Sequence, residues 1–274
     1  MNRAYLDIPR FLIFASMAFL VSCGGGGGGG DRFPTPKLPA DAIKFDATNA
    51  NDSALKIMGF SSTFSQFSVF KTQAEPTISQ SVDWALDRVI NWNRNVLPIA
   101  ARTGARDISG GLCNSGTATA DSDESASSSS GDIRFNNCDI GSGILLNGNF
   151  AFDASWNDAT MDYNFHTGGK LRIKIGADTV TVVMNLNESG NEGTGDFSTD
   201  ISFSMSGVPG GGFLVESQQP LSGNVFTMEV TAGRLIAYGA DNTRLRITLT
   251  AANAADVDLD NGGGSFMPHS TINF

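Results

Sequence analysis

Alternation of apolar and polar residues from Ser109 onward constrains this chain more than any other feature. Met161, Tyr163 and Phe165 alternate with Asp162, Asn164 and His166, and Leu171, Ile173 and Ile175 alternate with Arg172 and Lys174. Phe197, Ile201, Phe203 and Met205 alternate with Ser198, Asp200, Ser202 and Ser204. Further runs cover 144–152, 180–186, 225–230, 235–238 and 245–249. A period of two sends successive side chains to opposite faces, so each run predicts an antiparallel strand with one buried and one wet side. Gly168-Gly169, Gly176-Ala177-Asp178 and the 190–193 segment carry turn residues. About ten or eleven strands follow, and an open twisted sheet that wide curls or closes. The expected fold is therefore mainly β: a large curved antiparallel sheet, half-barrel or barrel-like, packed on one or two N-terminal helices. A two-sheet sandwich is the alternative. A transmembrane barrel is disfavoured because many runs fall short of the roughly 9–11 residues needed to span.

Two segments have helical character. Residues 48–58 are rich in Ala and Asn and stop at Gly59, a residue suited to a left-handed cap. After Pro76, Thr77 and Gln80 suit a capping box, and Val82, Leu86, Val89 and Ile90 follow at helical spacing. Trp84 and Trp92 flank that stripe and Pro98 limits it. The expected curved sheet would wrap this second helix. Arg88, Arg94, Arg102 and Arg106 suggest an anion site, but Asp83, Asp87 and Asp107 among them make a self-neutralised solvated surface the preferred reading.

The first residues carry Arg3 and Arg10 against Asp7, and an apolar run over 11–20 follows. That pattern is a positively charged start and a hydrophobic stretch too short to span a bilayer. Leu20-Val21-Ser22-Cys23 then resembles the lipobox of bacterial lipoproteins. The resemblance implies a diacylglycerol thioether on Cys23, cleavage before it and acylation of the new amine. Such an anchor exceeds the two-signal threshold for stable membrane attachment. Gly24 follows the cysteine where an inner-membrane retention signal would place aspartate, so the resemblance implies sorting to the outer membrane.

The organisation expected is a signal peptide over 1–22, a lipidated Cys23 and linker over 23–40, and one domain over 41–274. Helices would occupy 41–108 and strands 109–274. The linker reading rests on the glycine tract 24–30 and on Phe33-Pro34-Thr35-Pro36-Lys37-Leu38-Pro39, which has polyproline character. The glycine tract lacks the strand and helix that would make it a phosphate loop.

Charge excludes some partners. The 274 residues carry a formal charge of −10 and a pI near 4.5, which argues against nucleic acid, whose phosphates need clustered Lys and Arg. Removing 22 residues takes away two of 18 basic and one of 28 acidic residues and leaves −11. By net charge alone the mature chain should not adhere to anionic head groups, so the lipid would do the holding.

Cys113 and Cys138 flank a polar, serine-rich, acidic stretch over 117–130 that reads as a loop unable to bury itself. Outside the cytoplasm the pair is expected to form a disulfide at the base of a long hairpin. Two separate buried thiols are the alternative.

Catalytic signals are sparse. Two histidines exist, His166 on the wet face of its strand and His269 beside Pro268, and no nucleophile elbow or zinc-protease motif occurs. Asp256, Asp258 and Asp260 alternate before Gly262-Gly263-Gly264, the i, i+2, i+4 spacing of calcium loops. Asn261 and Met267 depart from an EF-hand, and a strand with Val257 and Leu259 facing inward explains the same letters. Calcium is thus the one candidate cofactor.

The stretch 233–250 and Phe45-Asp46-Ala47-Thr48-Asn49-Ala50 resemble patterns in uncharacterised bacterial secreted proteins and lipoproteins, a resemblance that brings no activity. Ile272-Asn273-Phe274 resembles the aromatic end of outer-membrane barrels, and a lone apolar last strand explains it as well. The expected function is a non-enzymatic, membrane-anchored envelope module, structural or binding, whose partner is an envelope protein or an apolar ligand. One alternative is a carrier of lipid in a curved-sheet cavity, similar in architecture to envelope lipoprotein carriers, with Phe150, Phe152, Met161, Phe165, Phe203, Met205 and Met228 as interior candidates, although a simple packed core is the preferred reading of those residues. The other is a secreted hydrolase using a carboxylate pair.

Overall fold

Twelve strands in sequence order form one antiparallel sheet in the computed structural model of the protein, which describes residues 32–64, 104–141, 143–227, 229–252 and 254–273. They are β1 (Gly104–Asp107), β2 (Ser115–Glu124), β3 (Ser128–Asp139), β4 (Ile144–Asn157), β5 (Asp162–Ile175) and β6 (Asp178–Asn191). The second half comprises β7 (Asp196–Ser206), β8 (Phe213–Asn224), β9 (Glu229–Tyr238), β10 (Arg244–Ala251), β11 (Ala254–Asp260) and β12 (Met267–Asn273). Two helices accompany them among the described residues, α1 (Ala50–Phe64) and the short α2 (Ser109–Leu112). Each strand pairs with its sequence neighbours, β1 and β12 are the edges, and the sheet is not closed. Cysteine 23, the glycine tract and the expected helix containing Val82, Leu86, Val89 and Ile90 lie outside the described residues, as do Arg88, Arg94 and Arg102.

Alternation is realised as one apolar and one polar face. Ile133, Phe150, Leu171, Ile173, Val182, Phe203, Ile247 and Val257 are buried on the same side and share one core. Ala50, Ala54, Ile57 and Met58 of α1 join it where the helix crosses β10, β11 and β12. Ahead of α1, Asn49 N donates to Asp46 Oδ1 at 3.2 Å and Asp46 N donates to Asn49 Oδ1 at 3.0 Å, a reciprocal cap. The helix does not stop at Gly59, which keeps an ordinary helical conformation, and it runs on to Phe64.

Several expectations are corrected. Among the described residues the sheet has twelve strands, not ten or eleven, and β2 to β9 have 10–14 residues. Strand length therefore does not argue against spanning. The outward row of β5 does, being Asn164, His166, Gly168, Lys170, Arg172 and Lys174 where a spanning barrel needs an apolar band. The serine-rich stretch 117–130 is a hairpin rather than a loop, because Ala118, Ala120 and Ser122 bury a narrow edge against Phe135, Ile133 and Gly131. Gly168-Gly169 lies inside β5 and not in a turn. Residues 225–227 are a turn between β8 and β9, with Phe226 exposed, rather than the start of a strand. Strand β8 was hidden by Pro220, which sits at a register irregularity where a missing N–H is tolerated. Strand β1 falls within the region assigned to helices.

The hairpin turns at one end of the sheet repeat a sequence. Asn157-Asp158-Ala159-Thr160-Met161-Asp162, Asn191-Glu192-Gly193-Thr194-Gly195-Asp196 and Asn224-Val225-Phe226-Thr227-Met228-Glu229 share the form Asn-x-x-Thr-x-acid. Asn191 Oδ1 accepts from Gly193 N and Thr194 N while its Nδ2 donates to Thr160 O and Asp162 Oδ1. Asn224 repeats this one hairpin later, towards Phe226 N, Thr227 N, Thr194 O and Asp196 Oδ1. Each asparagine thus closes its own turn and ties down the previous one. In the first two of these turns the fifth position is left-handed, φ 61° at Met161 and 77° at Gly195. Met161 is accordingly exposed in a turn and not part of the interior, as its place in the alternation suggested.

Candidate functional site

Cross-strand register turns scattered polar residues into a continuous surface. Ser130, Asp153, His166, Asn187 and Asp200 pair in succession from β3 to β7, and Ser128, Ser155, Asn164, Ser189 and Ser198 form the adjacent rung. Both rungs lie on the outward face and line an open groove of about 520 Å³. Its walls include Asp153, Glu188 and Asp200 and no lysine or arginine. Behind it, Glu188 is buried and accepts hydrogen bonds from Tyr163 Oη at 3.1 Å and Thr199 Oγ1 at 3.2 Å.

One rim of the groove comes from the segment expected to be linker. Arg32 Nη1 donates to Asp153 Oδ1 at 2.6 Å, and Nη2 donates to Gly131 O and Phe152 O. Its Nε lies 3.6 Å from Asp132. Phe33 stacks on the His166 ring with centroids 3.7 Å apart, and His166 Nε2 donates to Asn185 Oδ1 at 2.9 Å. Gly168, the next outward position on β5, leaves room for the Phe33 ring. The strap then reaches Gly207 and Gly212 through Asp41 and buries Phe45, whose N–H donates to Thr243. His166 is therefore half-covered on the outward face rather than freely exposed.

The aspartate series occupies one face of β11, and each carboxylate has its own partner. Asp260 accepts from Arg244, Asp258 from Arg246 Nε at 2.8 Å, and Asp256 from Thr271 Oγ1 at 2.8 Å. The Phe266 ring lies 4.8 Å from the Arg244 guanidinium and 4.6 Å from that of Arg246. Val257 and Leu259 point into the core. Among the described residues no group of three or more His, Cys, Asp or Glu converges as a metal site. The Arg244 hydrogen bond, helped by Gly264 and Gly262 N–H, holds the Asp260 carboxyl below its ordinary value of 3.8. Asp196 is lowered by Asn224 and Thr194, and Asp162 by Thr160 and Asn191. Groups with depressed native pKa take up protons more readily when unfolded, so stability rises with pH through that range. Denaturation midpoints should hold steady above the ordinary carboxylate value and fall as pH drops through the depressed values. The Asp260→Asn variant should show a shallower acid limb; an unchanged limb would remove Asp260 from the cause.

Cys113 and Cys138 are joined in a disulfide, with Cα atoms 5.1 Å apart. It closes the base of the β2–β3 hairpin as expected, since Ser115 pairs with Asp139. His269 lies on edge strand β12, seven strands from His166 in the sheet order. The side chain of Arg106 on β1 is not described. Sequence reasoning missed the groove because its rungs come from five strands. The repeated Asn-x-x-Thr-x-acid turns were its available signal, since their spacing fixes the register of β5 with β6 and of β7 with β8.

Comparison of the chain with protein-family models, with curated proteins and with solved structures finds no match.

Proposed function

We propose that the chain is a membrane-anchored bacterial envelope lipoprotein, held at the outer membrane through Cys23, whose β-domain binds a ligand without transforming it. In this reading the sheet curves around its helices as a half-barrel, α1 being one of them. The groove is the ligand site. The observation that carries this is its lining: two rungs of hydroxyl, amide and carboxylate groups with His166 among them, where the nearest cation, Arg32 at the rim, is already engaged by Asp153. Such a surface disfavours an anionic ligand and suits a neutral, hydroxyl-rich one such as a glycan, with hydrogen bonds converging from several strands. Of the apolar candidates for a lipid cavity, Phe150, Phe152, Phe203 and Met205 are packed in the core and Met228 lies outside the described residues, which favours binding at the polar face over carriage of an apolar ligand.

Calorimetric titration of the full chain with a panel of neutral oligosaccharides tests the assignment. Binding by one of them is expected. Asn164→Ala and Asn187→Ala, both on exposed strand positions, should each weaken it by roughly 2-fold to 12-fold, the range set by a single lost hydrogen bond. Absence of binding across the panel, or unchanged affinity in both variants, would overturn it.

A further inference from the structure

On the outward face of the sheet, beyond the strap, lies a concentration of cations that the net charge conceals. Lys170, Arg172 and Lys174 occupy successive outward positions of β5, and Arg134 on β3 joins them through Asn149 of β4. All four are exposed, and none makes an ion pair among the described residues. Their cross-strand neighbours are uncharged: Asn149 and Val183 beside Lys170, Asn147 and Thr181 beside Arg172, Leu145 and Thr179 beside Lys174. Three of the four other arginines whose side chains are described differ. Arg32, Arg244 and Arg246 each have an aspartate. At the opposite end of the same strands, the turns expose Asp158, Asp162, Glu192 and Asp196. Along β5 the charge runs from acidic at the Asn-x-x-Thr turns to basic towards Lys174, with Asp139 and Asp178 as the carboxylates at that end.

The strap fixes this face relative to the anchor. Arg32 is bound to Asp132 and Asp153, one outward step along β3 from Arg134, and Phe33 covers Gly168, one outward step from Lys170. Eight residues separate Cys23 from Arg32. Nine virtual bonds span about 30 Å at full stretch, whereas a 14-residue strand such as β5 is about 46 Å long. A lipid on Cys23 therefore keeps Arg32, and with it this part of the outward face, within about 30 Å of the membrane.

We infer that the basic end of the outward face, Arg134, Lys170, Arg172 and Lys174, docks on the anionic bilayer surface to which the chain is tethered, orienting the groove away from it. The inference rests on the lipoprotein reading for its tether. It also revises the expectation from net charge, because apposition depends on the charges within a screening length of the surface and not on the total. From Lys174 to Asn164 is about 33 Å along the strand at about 3.3 Å per residue, so the docked domain would carry its groove that far out.

The full chain, produced in a lipoprotein-processing bacterium, is placed on phosphatidylcholine vesicles with and without phosphatidylglycerol. A fluorophore is attached at T179C, an exposed position opposite Lys174, or at A159C in an acidic turn, and head-group quenchers are included in the lipid. Quenching of the Thr179 label should rise when phosphatidylglycerol is present, while the Ala159 label stays unquenched. The gain should vanish in K170E/R172E/K174E. It should also vanish when salt is raised from about 0.01 M to about 1 M, which shortens screening from about 30 Å to about 3 Å. Each cation near such a surface is worth about fivefold in occupancy, so R172Q alone should halve the gain or more. Equal quenching in both vesicle types, or a gain that survives high salt, overturns the docking. Flotation with pure phosphatidylcholine vesicles reports the anchor separately: a chain that does not float defeats the lipoprotein reading. That chain is then scored by flotation with phosphatidylglycerol vesicles, where failure defeats the basic surface as well.

Discussion

Replacing both Cys113 and Cys138 by serine is expected to lower unfolding free energy by about 3.5 kcal/mol, the chain-entropy value for a loop of this size. The disulfide joins residues 25 apart, and nearly all of the chain between them is the β2–β3 hairpin. Within that hairpin, β2 has little else to hold it. Its inward residues on β2 are Ala118, Ala120 and Ser122, which bury far less apolar area than the Val, Leu, Met and Phe of the central strands. It lies near one edge of the sheet, with β1, four residues long, beyond it. Cutting the link frees the unfolded chain and also removes a buried crosslink, since Cys138 is fully buried in the core. Urea denaturation of the oxidised protein and of the double-serine variant measures the loss. A denaturant slope that rises in the variant would agree with an unfolded state released from a closed loop. A loss below about 1 kcal/mol would mean that the hairpin is held by its ladder alone, outside the usual range for native disulfides.

The readable and unreadable parts of this fold have different physical origins. Val180, Val182, Met184 and Leu186 were legible because large apolar side chains alternate without interruption, and all four are buried on β6. Strand β2 was not, because residues as small as Ala118 and Ala120 can form a core surface only when a partner supplies the bulk, here Phe135 and Ile133 on β3. Composition describes a residue alone, and burial belongs to the pair. Register is hidden in the same way: alternation shows which residues face outward, but one residue of slip would exchange the faces and disperse the groove. Asp153, His166 and Asn187 are 13 and 21 residues apart in sequence and meet only because β4, β5 and β6 pair in one register. The strap is hidden in the sequence for another reason. Prolines over 34–39 suggest a stiff spacer, and a stiff extended segment is also well suited to lie across a sheet once Arg32 and Phe33 fix its start.

Substituting valine for Gly169 should cost about 3 kcal/mol, the upper part of the range for overpacking a core. Gly169 pairs with Phe150 on β4 and Met184 on β6, in the middle of three long strands. A Cβ there would collide with the carbonyl oxygen of Asn149 and lie 2.8 Å from the Cα of Phe150. Both obstacles are backbone, so no side-chain rotation relieves them. Relief requires β4 to move away, and β4 is held to β5 by an unbroken ladder from Ile144–Ile175 to Asn157–Asp162. It also carries Phe150, whose ring is fully buried, so any shift is transmitted to the core. The neighbouring Gly168 faces the other way and receives Phe33, which makes this glycine pair the point where β5 serves both faces at once: core packing inward and strap docking outward. Gly263→Ala provides the control, since a Cβ at that position meets nothing within 4 Å and its backbone is not left-handed. Its effect should stay within about 0.5 kcal/mol, as for other exposed substitutions. Thermal and urea unfolding of the two variants measures the difference. Equal stability would show that β4 and β5 can separate locally, and the strap, which is bound to β3 and β4 through Arg32 and to β5 through Phe33, would then loosen with them.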